Sequence, residues 1–155
     1  MPEWTRPQSK APLQILLVED DASDARIIRK VAHERFAGRI HITVVQNGEE
    51  ALQFLRRQSP YVDAPIPSLV ILDLNMPKKN GREVLAEMKA DQNLNRIPVV
   101  ILSTSSPQPN LLEQYGLPSS AFITKAAELN EFQRAIEQLF EERACARPFS
   151  FPARN

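Results

Sequence analysis

Four short stretches of this 155-residue chain carry side chains suited to phosphoryl or metal chemistry. They are Glu19-Asp20-Asp21, Asp73, Ser103-Thr104 and Thr124-Lys125. Clustered carboxylates repel one another and raise each other's pKa unless a cation sits among them. Oxygen ligands of this kind suit Mg²⁺, which prefers octahedral geometry and keeps several waters. Glu19, Asp20 and Asp73 would supply the carboxylates, directly or through water. A cation there that also binds a phosphoryl group would neutralise charge as an Asp oxygen attacks phosphorus. Lys125 would pair with a phosphoryl oxygen, and the Ser103 hydroxyl would donate a hydrogen bond to one. Together these residues describe an aspartate, Asp73, accepting a phosphoryl group.

Each residue alone has a plainer reading. Asp20 or Asp21 suits a helix cap, Lys125 a solvated charge and Ser103 a turn. Asp73 suits a turn before Met76-Pro77. What favours a site is their joint placement at the ends of four of the five expected strands.

Those strands are legible as apolar runs alternating with helical patterns. Leu13 to Val18 predicts strand one, and Ile27, Ile28, Val31, Ala32 and Phe36 make a helical stripe between Ala22 and Ala37. Ile40 to Val45 predicts strand two, which ends in the uncharged Gln46-Asn47. Asn47 is positioned to cap the next helix, with Glu50 at the capping-box position. Leu69 to Asp73 predicts strand three, and Asn80 caps the helix bearing Val84, Leu85 and Met88. Val99 to Leu102 predicts strand four. A fourth helix opens at Ser106-Pro107 and turns Leu111, Leu112 and Tyr115 inward. Ala121 to Thr124 predicts strand five. The last helix carries Leu129, Phe132, Ile136, Leu139 and Phe140 on one stripe. Five strands alternating with five helices predict a doubly wound α/β domain with a parallel sheet. Open sheets of this kind bind ligands at the carboxyl ends of their strands.

The bulk composition removes several function classes. Lys+Arg and Asp+Glu stand at 19 each, so no global field favours DNA or an anionic membrane. No apolar stretch approaches the ~20 residues of a membrane span, and residues 1–12, polar and proline-bearing, predict a mobile leader without a secretory signal. The single cysteine, Cys145, cannot form an intrachain disulfide, so a reducing, cytoplasmic setting is expected.

With these residues in place the chain resembles the response-regulator receiver domains of two-component signalling, over roughly residues 12–142. The resemblance implies a flavodoxin-like sheet in the order 2-1-3-4-5, with strand two, the strand lacking charge, at the edge. It implies a receiver domain over 13–142 and a C-terminal tail over 143–155. Asp73 becomes the phosphoacceptor. Glu19, Asp20, Asp73 and the Asn75 backbone carbonyl become the Mg²⁺ site. Ser103 and Lys125 become the groups that meet the phosphoryl oxygens, and Ser103 and Phe122 the switch pair. The implied partner is a histidine kinase, and the protein a signalling component and not an enzyme.

Two positions depart from the family pattern. Ala126 follows the lysine where most members have Pro after a cis bond, and a non-proline cis bond costs ~3 kcal/mol. The loop after strand five is therefore either strained or rebuilt. Phe122 stands where Tyr is frequent and lacks its hydroxyl. A narrower resemblance is carried by Asp73-Leu-Asn-Met-Pro-Lys-Lys-Asn-Gly81 and its continuation to Lys89, the proline-bearing loop 58–67, Arg96 to Ser105, and Ile123-Thr-Lys125 without a following Pro. These are similar to stand-alone receivers that work with phytochrome-type histidine kinases.

Rival readings fare less well. A flavodoxin-like electron carrier would want a hydroxyl- and glycine-rich phosphate loop where Glu19-Asp20-Asp21 would repel FMN phosphate. A dehalogenase-type phosphatase would want a second Asp where Asn75 stands. A DNA-binding output is not expected, since the chain leaves no room for a helix-turn-helix after its last helix. The remaining alternative is a pseudo-receiver, a protein-interaction module that never takes phosphate. Two readings stay open for the end of the chain: Phe140 caps the core and the tail is loose, or the last helix and the tail with Phe149 and Phe151 build a homodimer.

Overall fold

Apolar residues occupy consecutive strand positions because both faces of the sheet are covered. Along β1 (Leu13–Val18), Leu16 and Val18 enter one core and Ile15 and Leu17 the other. In β3 (Leu69–Asp73), Val70 and Leu72 face the first core, and Leu69 and Ile71 the second. The same alternation runs through β4 (Val99–Ser103), where all five residues are buried. Full burial of each such side chain contributes roughly 1.5–3 kcal/mol.

The computed structural model describes residues 12–74, 76, 79–104, 113–118, 121–125 and 128–146. Its five strands, completed by β2 (Ile40–Val45) and β5 (Phe122–Thr124), are all parallel and lie in the order β2-β1-β3-β4-β5. Helices α2 (Gly48–Leu55) and α3 (Gly81–Ala90) cover the first face. Helix α1 (Ala22–Arg35) and the last helix, α4 (Leu129–Ala146), cover the second. The flavodoxin-like expectation therefore holds.

Local chemistry explains the helix starts. Asp21 caps α1, its Oδ1 accepting from Ser23 N at 2.8 Å and Asp24 N at 3.1 Å. Asn80 and Glu83 close a full capping box on α3. Asn47 caps α2, but Glu50 reaches one residue further back, to Gln46 N at 3.0 Å.

Several boundaries differ from the sequence reading. Helix α1 stops at Arg35, two residues short of Ala37, as Phe36 turns out of the helix and Gly38 takes a positive φ of 80°. Helix α4 runs to Ala146, so the expected tail boundary at 143 falls inside a helix. Leu129, expected on its inner stripe, is 56% exposed because it stands in the first turn, beyond the edge of the core. Four helices stand among the described residues where five were expected. The other was expected to open at Ser106-Pro107, and residues 105–112 lie outside the described residues. Glu113 and Gln114 are helical, and Tyr115 packs against the first core. The leader lies outside the described residues except Pro12, as does the tail from Arg147 with Phe149 and Phe151.

Candidate functional site

Backbone pairing just past the strand ends sets the site. Glu19 N–H donates to Val45 O at 3.0 Å, Leu74 N–H to Leu102 O at 3.2 Å, and Lys125 N–H to Ser103 O at 2.7 Å. These bonds extend the parallel register by one residue on three strands. The register itself sets Val18 beside Leu72 and Asp73 beside Leu102. Glu19, Asp73, Ser103 and Lys125 thus meet on one rim, at the carboxyl ends of β1, β3, β4 and β5. Strand β2 is at the edge and sends no charge there.

The rim is dry for a polar site. Glu19 is 1% exposed, and Asp73 and Ser103 are 3% each, while Asp20 faces solvent. Carboxylate oxygens of Glu19, Asp20 and Asp73 all lie within 4.8 Å of one another. The Lys125 ammonium stands among the acids, 2.9 Å from Glu19 Oε1, 3.0 Å from Asp24 Oδ2 and 3.3 Å from Asp73 Oδ2. Asp24 was not singled out from the sequence. The signal was present: it is the acid in the first turn of the helix that follows Glu19-Asp20.

The electrostatics follow from burial. Desolvation, the side-chain contact with Asp73 and that neighbour's charge push the Glu19 carboxyl up from 4.5 to about 8, against the lowering effect of Lys125 and of the Asp21 N–H. Burial by itself would lower Lys125. Donation from its ammonium toward Glu19 and Asp24, with the charges of Glu19 and Asp73, outweighs it, so its pKa is raised and it stays an ammonium.

The loop after Asp73 is tied down at both ends. Gly81 N–H donates to Leu74 O at 3.1 Å, and Gly48 N–H to Lys79 O at 2.9 Å. Lys79 also pairs with Glu87 of α3. Helix α3 begins so close to Asp73 that a Cβ on Gly81 would overlap the Asp73 carbonyl oxygen. Gly81 is thus a second residue of the site that the sequence reading passed over. Phe122 is 9% exposed, pairs with Ile101 across β4 and β5, and packs into the first core. Asn75 and Ala126 lie outside the described residues.

The donors fit a hard divalent cation. Glu19 Oε1 is buried and, although near Lys125, accepts no aligned hydrogen bond. Its ion pair with Lys125 at 2.9 Å leaves room for a second positive charge to offset three clustered acids, two of them buried. Three converging carboxylates, from Glu19, Asp20 and Asp73, are all oxygen donors and could hold a hard divalent ion.

Comparison with known proteins gives one family. The family model described as the response regulator receiver domain matches residues 15–137. Response regulator Rcp1 of Synechocystis sp. is 38% identical over 130 residues, which cover 84% of this chain and 88% of that protein. The crystal structure of the phosphorylated cyanobacterial phytochrome response regulator RcpA superposes with a TM-score of 0.80 at 38% identity, over 89% of this chain and 98% of that one. The Mn²⁺-bound form of Rcp1 gives the same TM-score of 0.80 at 33% identity, over 88% of this chain and 98% of that one.

Proposed function

The chain belongs to the response-regulator receiver family, and from that premise we propose that it accepts a phosphoryl group on Asp73 from a histidine kinase of the phytochrome type, with Mg²⁺ as its ion. The observation that carries this reading is the Lys125 ammonium 3.3 Å from Asp73 Oδ2, on a rim where Glu19 and Asp20 oxygens come within 4.8 Å of the same aspartate. A Mn²⁺-bound relative at 33% identity supports the ion class, and a relative described as a phytochrome response regulator, at 38% identity, supports the partner class.

In the reaction an Asp73 carboxylate oxygen attacks phosphorus, the P–N bond to the kinase imidazole breaks, and the imidazole leaves, taking a proton. A bound divalent cation would screen the charge of the incoming phosphoryl group. Lys125 stays charged at this site, so it can pair with one phosphoryl oxygen while the neighbouring Ser103 hydroxyl donates to another. Burial of Asp73 keeps bulk water from the acyl phosphate. Movement of Ser103 toward the phosphoryl group would then free space beside Phe122. The result is a population shift of the β4–β5 face between existing states.

This is signalling chemistry and not catalytic turnover of a small molecule. No described helix is long and apolar enough to cross a membrane, in keeping with a cytoplasmic setting. The homodimer reading must do without Phe140, which is fully buried against Phe36 at 5.8 Å. A dimer would therefore draw on other residues of α4 and on the tail. Deletion of residues 147–155, which leaves α4 whole, tests the tail by solution mass.

The central test is intact mass after incubation with a small phosphodonor and Mg²⁺. A phosphoryl-sized gain is expected for the wild type and none for Asp73→Asn. No gain in the wild type, with Mg²⁺ still bound, would instead select the pseudo-receiver reading. Transfer from a phytochrome-type kinase, tested against an unrelated histidine kinase, checks the partner.

A further inference from the structure

All four helices with described bounds carry an acid at the third helical position, Glu131 in α4 and three others nearer the site. In α3, Glu83 folds back to the N–H of the cap residue, Asn80, at 2.9 Å. In α2, Glu50 folds back to Gln46 N at 3.0 Å. In α1 the equivalent acid is Asp24, and it does not fold back. The Asp21 N–H it would have reached is already taken by Glu19 Oε2 at 3.1 Å. Asp24 is left to aim its carboxylate at Lys125 Nζ, 3.0 Å away, while its own N–H is held by Asp21 at 3.1 Å.

Among the described residues Lys125 therefore has three carboxylate neighbours, of two kinds. Glu19 and Asp73 belong to the group whose oxygens converge on a cation position, and Asp24 does not. A cation that engages Glu19 and Asp73 draws their charge away from the ammonium, and Asp24 is the neighbour that keeps its hold. We propose that Asp24 is a positioning residue, an anchor for Lys125 that lets a divalent cation compete for Glu19 and Asp73 while the ammonium stays over the site. The inference rests on the phosphoacceptor reading above. The plainer role for Asp24 is a favourable charge near the positive end of the α1 dipole, which would affect helix stability alone.

The test uses the full chain with Mg²⁺ as the probe, read by titration calorimetry. Asp24→Asn keeps size and removes charge. With the anchor gone, Lys125 bears only on Glu19 and Asp73 and competes harder with the ion, so Mg²⁺ affinity is expected to fall about 3- to 10-fold. Asp24→Glu is expected to recover part of it. In a Lys125→Met background the effect of Asp24→Asn is expected to shrink below about twofold, because the two act through one contact. Unchanged or tighter binding in Asp24→Asn, or the same loss with Lys125→Met, overturns the proposal, whatever the unfolding midpoints show. Failure of the wild type itself to bind Mg²⁺ would overturn the underlying metal-site reading instead, and the two failures are read from different samples.

Discussion

The backbone N–H of Lys125 donates to the carbonyl oxygen of Ser103 at 2.7 Å. This one bond carries the β4–β5 register past the end of the sheet, where Ser103 already stands beside Thr124. It sets the lysine one residue beyond the hydroxyl on the neighbouring strand. Lys125 then reaches Asp73 Oδ2 at 3.3 Å from a strand end that lies beside Ser103.

Lys125→Met should separate binding from transfer. The variant loses the ammonium but keeps Glu19, Asp20 and Asp73. Phosphorylation by a small donor at saturating Mg²⁺ is expected to slow at least about 10-fold, since a charge-assisted contact to the phosphoryl group is lost. A rate equal to the wild type, followed by intact mass over time, would remove Lys125 from the mechanism.

Stability of the metal-free protein should depend on pH with an unusual sign. Glu19 titrates near 4.5 when unfolded and is pushed up to about 8 when folded. Between those values the folded state holds a proton that the unfolded state has lost. Its contribution to stability is therefore full below 4.5 and is lost as pH rises toward 8. Urea unfolding in EDTA is expected to show this fall, and Glu19→Gln, which cannot ionise, is expected to flatten it. Saturating Mg²⁺ should flatten it too. Equal slopes for wild type and Glu19→Gln in EDTA would refute the assignment.

Gly81→Ala should damage the site through its backbone. The added Cβ meets the Asp73 carbonyl oxygen and the Leu74 Cα, neither of which is the end of a flexible side chain. Overpacking of this kind costs about 1–3 kcal/mol, and here the nearest displaced atom is the Asp73 carbonyl oxygen. Lower stability together with weaker Mg²⁺ binding is the expected pair of results. A stability loss with unchanged Mg²⁺ affinity would show that the shift does not reach the carboxylate.

Phe140→Ala should be among the costly core changes. Phe140 is fully buried and meets Phe36 edge to face, with an interplanar angle of 89°. Truncation is expected to cost about 3–5 kcal/mol, measured as a lower denaturation midpoint. A loss under about 1 kcal/mol would mean that the α1–α4 seam repacks, contrary to a close-packed core.

Much of this was legible in the chain. The strand runs Leu13–Val18, Ile40–Val45 and Leu69–Asp73 could be read to the residue: burial on both faces writes Leu69–Leu72 as an unbroken apolar segment, while the edge strand is interrupted by His41 and Thr43 yet keeps its β-branched residues. Asn47 and Asn80 announced their helices because a cap is a local device, complete within four residues. Asp73, Glu19, Asp20, Ser103 and Lys125 could be gathered as one rim from their positions after those strands.

What the linear order could not carry were relations between distant residues. Asp24 and Lys125 are 3.0 Å apart only because β1 and β5 end on the same rim and because Glu19 takes the N–H that Asp24 would otherwise cap. The close approach of Gly81 to Asp73 depends on where α3 docks, and the burial of Phe140 on α1 lying across the same face. Residue types and their periods determined the elements and the chemistry available to this protein, since both are local properties of the chain. The tertiary structure decided which carboxylates surround the lysine and which faces have no room for another atom, because those depend on packing between segments that the sequence keeps apart.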